Sequence, residues 1–338
     1  MLLAGAGCGG GPGRTAAPGT ARTAPALTIA QARSAFTAFT DRDDRMTPAT
    51  YVQVLPQLTA PPDENSLLLA ARHPLPSSLG NDDLRTARMR DPAFYVPRLT
   101  SYPLWFVVAG QALHGSNALV MVRTSAAAPW RESMVINDQA PDAPLASSFR
   151  QVRVDAAGYA RTALAGPALT VSPARLATAY ADLLAGSPAA ARLFAPGAAT
   201  TGWAAADRAR AALAGRSGWQ LRSSYRPAGL PSFTLRGKAG GALELFTVQA
   251  ERTWTGVSAA PVVSLGGGGL PIADVTAAGL TSARHGTTVR ETDLYEMLAV
   301  IPANGRGRVS LPLVFPLGGA YSVPEYGGGL TAVTTSSP

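Results

Sequence analysis

The chain has 338 residues, 46% hydrophobic and 15% charged, enough apolar material for a sizeable core and for about two domains of roughly 100–200 residues each. No uncharged apolar run approaches the roughly 18 residues of a spanning helix, which excludes a polytopic membrane protein, and a single cysteine excludes a disulfide framework or a Cys-rich zinc module. The net charge of +8 comes almost wholly from scattered arginines such as Arg14, Arg33, Arg42 and Arg90, with Lys238 the only lysine; without a basic block this speaks against nucleic-acid binding and leaves weak attraction to anionic lipid or polymer.

The chain opens on a short apolar stretch, Met1-Leu2-Leu3-Ala4-Gly5-Ala6-Gly7, whose small residues immediately precede Cys8. This resembles the lipobox that ends a bacterial lipoprotein signal peptide. The resemblance implies a diacylglyceryl thioether on the Cys8 thiol and anchoring to the extracytoplasmic face of the cell membrane. The basic segment that normally begins such a signal is missing, so the signal reads as truncated. Gly9 to Ala26 is aperiodic and rich in Gly, Pro, Thr and Ala, the composition of a flexible tether that holds a domain on the order of 20–25 Å from its anchor.

A weak internal repeat follows. Pro25-Ala26-Leu27-Thr28-Ile29 aligns, at an offset of 142, with Pro167-Ala168-Leu169-Thr170-Val171. Thr28 and Thr170 are expected N-caps, since a hydroxyl accepts from a free amide of the first turn, and Pro173 suits a first turn. Helical spacing follows at Ile29, Ala32, Phe36 and Phe39, and again at Val171, Ala174, Tyr180, Leu183 and Leu184.

After the first helix, short β-branched and aromatic runs predict an antiparallel meander: 94–99, 104–109, 118–124 and 130–136. After the second come a helix near 203–214 and strands at 219–225, 232–236, 242–253, 294–301 and 308–315. In the run from Ala242, alternation places Leu243, Leu245 and Thr247 on one face and Glu244, Phe246 and Val248 on the other, a sheet covered partly on both sides. The composition after Pro316 is that of a tail.

The plan is α+β: two tandem domains, each an N-terminal helical segment packed on a curved, mostly antiparallel sheet. It resembles the NTF2-like or cystatin-like cone, present twice. The boundaries are residues 1–26 for signal and tether, 27–155 and 167–325 for the two domains, and 326–338 for a disordered tail. Tyr102-Pro103-Leu104-Trp105-Phe106, Pro129-Trp130-Arg131-Glu132 and the 174–184 helix followed by 243–252, together with the lipobox-like start, also resemble secreted actinobacterial lipoproteins of a family with no assigned activity.

Catalytic motifs are missing: no G-x-S-x-G elbow, no S-x-x-K in a plausible setting and no H-E-x-x-H. His73, His114 and His285 each lie beside turn residues and read as solvated loop histidines. Asp41, Asp43 and Asp44 read as exposed ion-pairing groups, and Asn81-Asp82-Asp83 lacks the ligand spacing of a calcium loop. No cofactor is implied. The expectation is a non-enzymatic, lipid-anchored envelope protein that binds a partner protein or a small hydrophobic ligand, with Trp105, Trp130, Phe246, Trp254, His114 and His285 as candidate contacts and Trp219 a further aromatic. The alternatives are a hydrolase of envelope polymers that uses His114, His285, Glu291 and Asp293, or a structural spacer.

Overall fold

A computed structural model of the protein describes residues 24–47, 50–61, 88–112, 115–138, 144–162, 169–216, 218–257, 288–309, 313–322 and 331–333. Helix α1 (Ile29–Asp43) begins at the expected cap. The Thr28 hydroxyl accepts from the Gln31 amide at 3.1 Å, and the Gln31 carboxamide oxygen accepts from the Thr28 amide at 2.8 Å, a reciprocal capping box. A short α2 (Tyr51–Leu58) follows, and then a four-stranded antiparallel sheet in the order β1 (Arg90–Tyr95), β2 (Leu104–Ala112), β3 (Gly115–Arg123), β4 (Arg131–Asp138).

The first strand lies earlier than the expected 94–99. Pro97 has no N–H to give the ladder, and Pro92 is accommodated because β1 is an edge strand whose register shifts between Arg90 and Ala93. Helix α3 (Pro144–Arg150) closes this half.

The second half opens with α4 (Pro173–Leu184), α5 (Pro188–Ala191), a π-helical turn (Ala198–Gly202) and α6 (Trp203–Arg216). Here the expected cap is corrected. Ser172, without a side-chain capping bond, precedes α4, whereas the Thr170 hydroxyl donates to the Gly305 carbonyl at 2.6 Å. The inward stripe is Leu176, Tyr180, Leu183 and Leu184, with Ala174 left exposed.

Strands β5 (Trp219–Pro227), β6 (Phe233–Arg236), β7 (Ala242–Gly256), β8 (Thr288–Ile301), β9 (Arg308–Val309), β10 (Leu313–Ser322) and β11 (Thr331–Val333) form one antiparallel sheet. Its order is β11-β10-β8-β7-β5; β6 continues the β5 edge of β7, and β9 pairs with β8. Strand β10 runs through Gly318 and Gly319, and β11 falls within the segment of tail composition. Backbone pairing, to which side-chain composition is blind, makes both.

Strict alternation sorts the apolar side chains into three buried layers. Leu104, Phe106, Val108, Leu119, Met121 and Val135 pack against Phe36 and Phe39 of α1. On the other face of the same sheet, Val107, Val120, Met134 and Ile136 meet Leu235, Leu243, Leu245 and Leu298 of the second sheet. The far face of that sheet, with Phe246, Val248 and Met297, packs on Leu176, Tyr180 and Leu183 of α4. The layering is therefore helix, sheet, sheet, helix, and the two halves share a central core.

The segment between the halves is paired to both. The Arg153 amide donates to the Arg236 carbonyl and the Arg236 amide to the Arg161 carbonyl, each at 2.7 Å, and the Ala160 amide donates to Val96 at 2.9 Å. Glu296, fully buried on the face of β8 that meets the first sheet, accepts from the Val135 amide of β4 at 2.8 Å. The Ala60 amide donates to Glu132 at 2.7 Å, so the outer edge of β4 is covered at two points.

Candidate functional site

A groove of roughly 460 Å³ opens between the start of α1 and the end of the β2–β3 hairpin, lined by Ala26, Leu27, Ala30, Gln31, Ser34, Ala35, Leu104, Arg123 and Trp130. It exists because α1 presents small side chains beside its Phe36 and Phe39 stripe, so this flank of the helix leaves open the space that a larger side chain would fill. The Ala26 amide fixes the chain ahead of α1 by donating to Leu99 at 2.8 Å.

On the opposite wall Leu104 and Arg123 are cross-strand partners. The Arg123 Nε donates to the Ala128 carbonyl at 2.9 Å, and a terminal guanidinium nitrogen donates to Ala126. These bonds hold the 125–128 turn that delivers Trp130, whose ring meets Phe106 edge-on at 5.0 Å and whose carbonyl accepts from Arg42 at 3.3 Å. Arg123 is the one charged group among the groove's lining residues.

The structure separates the aromatic candidates. Trp130 lines the groove. Trp105 lies between the sheets, 5.2 Å from the Phe233 ring. Phe246 is fully buried against Tyr180 at 5.7 Å, and Trp254 and Trp219 are buried in the second half. Cys8, residues 9–23 of the tether, His73, His114, His285 and Asn81-Asp82-Asp83 lie outside the described residues. Glu291 and Asp293 stand on β8 opposite Arg252 and Ala250 of β7. Of the three acids at the end of α1, Asp44 forms an exposed pair with Arg88 at 2.8 Å, but Asp43, the last residue of the helix, is buried, which corrects its reading as a surface group.

Two polar features escaped the sequence reading. Asp207 of α6, Tyr225 of β5, Arg252 of β7 and Tyr295 of β8 converge beneath α6. The Tyr225 hydroxyl donates to Asp207 at 2.5 Å, the Arg252 Nε lies 3.4 Å from the same carboxylate, and an Arg252 terminal nitrogen donates to the Tyr295 hydroxyl. Burial first, and then the bond to the Asp207 carboxylate, push the Tyr225 hydroxyl above its ordinary pKa.

The second feature is Glu244 on β7, 1% exposed, whose carboxyl is pushed up to about 8 by burial, with a hydrogen bond from Ser232 acting weakly the other way. The four-residue cluster joins groups far apart in sequence, and the burial of Glu244 is set by the fold around it, so no local motif announces either. In the groove, the clue was Arg123 closing the apolar run 118–122 of its strand.

Among the described residues no cluster of His, Cys, Asp or Glu is suited to hold a metal ion, and no helix is long and apolar enough to cross a membrane. No curated protein and no solved structure matches the chain significantly. A family model does match residues 23–312, most of the chain, and the protein therefore belongs to the family described as a domain of unknown function, DUF8094.

Proposed function

We propose that the protein is a non-enzymatic, lipid-anchored envelope protein that holds a small hydrophobic ligand in the groove between α1 and Trp130. The groove carries the reading: at roughly 460 Å³ it falls within the range of about 300–1,000 Å³ typical of small-molecule sites, and it combines an apolar floor with a few polar groups. Its lining offers a guanidinium, a carboxamide and a hydroxyl, but neither a carboxylate nor an imidazole to move a proton, which favours binding over hydrolysis. The small residues before Cys8 support a lipid anchor, and the groove includes Ala26, the last residue of the tether.

Each half sets helices before an antiparallel meander, β1-β2-β3-β4 in the first and β5-β7-β8-β10 in the second, which supports a duplicated NTF2-like unit. Titration with the neutral apolar dye N-phenylnaphthylamine tests the binding site. Saturable binding is expected, weakened by Trp130→Ala and lost in Ala30→Trp, which fills the groove from an exposed helical position. Dye binding unchanged in Ala30→Trp would place the ligand elsewhere and end this reading. For the anchor, mass analysis of the mature N-terminus from an envelope fraction is expected to show lipid on Cys8; unmodified protein recovered from the cytosol overturns it.

A further inference from the structure

We infer that the groove selects a single-chain aliphatic carboxylate, its tail on Leu27, Leu104 and Trp130 and its head at Arg123. This rests on the groove being the ligand site and adds the chemical class of the ligand. The polar groups of the lining are biased toward donors. Arg123 carries five N–H donors; two are committed to the Ala126 and Ala128 carbonyls, which fix the guanidinium, and the rest have no partner among the described residues.

Gln31 shows the same bias through a different cause. The capping box engages its Oε1 with the Thr28 amide, so what the side chain has left to offer is mainly its Nε2 hydrogens. Ser34 adds a hydroxyl. No acidic side chain is among the lining residues, so the charge of Arg123 is not compensated within the groove.

A head group that only accepts suits such a rim. A carboxylate pairs an opposite charge with Arg123 in bonds ionised on both sides, an alcohol accepts from the same guanidinium with no charge of its own, and an ammonium meets like charge. The protein's net charge of +8 adds a long-range attraction of the same sign. At roughly 460 Å³ the groove lies within the range of about 300–1,000 Å³ of small-molecule sites, and a dodecyl chain with a small head serves as the probe.

The experiment displaces the neutral dye from the full chain with dodecanoate, dodecanol or dodecylammonium, each below its micelle threshold. Dodecanoate is expected to bind roughly tenfold more tightly than dodecanol, with dodecylammonium weakest, and the gap should narrow between 0.05 and 0.5 M salt as the charge is screened. Arg123→Gln should collapse the acid-to-alcohol ratio toward one. Equal binding of acid and alcohol by the natural protein, or preference for the ammonium, overturns the inference while leaving the groove an apolar site. Failure of the dye and all three amphiphiles to bind overturns the groove itself. If Arg123→Gln does not fold because the 125–128 turn is lost, the ranking and salt response of the natural protein still decide.

Discussion

Replacing Glu244 with glutamine should stabilise the protein above neutral pH and do little near pH 4.5. The carboxyl is 1% exposed, one of its oxygens has no partner among the described residues, and burial raises it from 4.5 to about 8. A carboxyl raised by folding binds its proton more tightly in the native state. Its contribution is therefore fully present below about 4.5 and is lost as pH climbs through about 8. At roughly 1.4 kcal/mol per pH unit, that interval corresponds to about 5 kcal/mol of stability surrendered by the natural protein. Glutamine keeps the shape and cannot ionise, so the variant should escape most of this loss, less about 1 kcal/mol for a buried amide N–H pair that Ser232 alone cannot satisfy. Urea unfolding at pH 5, 7 and 9 gives the comparison, with the difference between the two proteins growing by about 4 kcal/mol across the series, since the cost of the amide does not vary with pH. A difference that stays constant with pH would refute the assignment of a buried, proton-holding carboxyl at this position.

Asp207→Ala should cost about 3 kcal/mol in the same assay, because it removes the carboxylate that faces the buried Arg252 guanidinium and accepts from the Tyr225 hydroxyl, whereas Tyr225→Phe should cost about 1 kcal/mol. Helix α6 buries little beyond Ala204 and Ala214, so Asp207→Ala should also speed amide hydrogen exchange within 203–216 ahead of the rest of the chain. Glu296→Ala leaves the Val135 amide of β4 without its acceptor and should lower stability by about 1–3 kcal/mol, read from the urea midpoint. Gly241→Ala should be worse than a typical surface change, about 2 kcal/mol or more, because the added methyl would overlap the Ile301 carbonyl oxygen on β8; a loss below 0.5 kcal/mol would refute that close approach.

Local rules were the legible ones. Thr28 announced the start of α1 as its cap, and the alternation of Leu243, Leu245, Phe246 and Val248 foretold a sheet covered partly on both faces. The rest depended on partners remote in sequence. Thr170 looks like a cap until Gly305 competes for its hydroxyl. Asp43 sits in a charged stretch whose neighbours are exposed, and only the fold of the surrounding chain buries it. Trp130 was visible as one of several large aromatics, but nothing local separates it from Trp105 or Phe246. What makes it a groove wall is the lack of bulk at Ala30, Ser34 and Ala35 across from it, and missing bulk has no signature in a chain rich in alanine.

The central layer between the two sheets also sets a timetable. As the chain is synthesised, β2, β3 and β4 are complete while the strands that cover their second face are still unmade. The carboxylate that clips Val135 lies 161 residues downstream, a wait on the order of ten seconds or more at about 5–20 residues per second. Until then Val107, Val120, Met134 and Ile136 form an unfinished surface and the outer edge of β4 lacks its Glu296 clip. The first half is thus committed to remaining incomplete, open to association with its own kind, until the last third of the chain arrives.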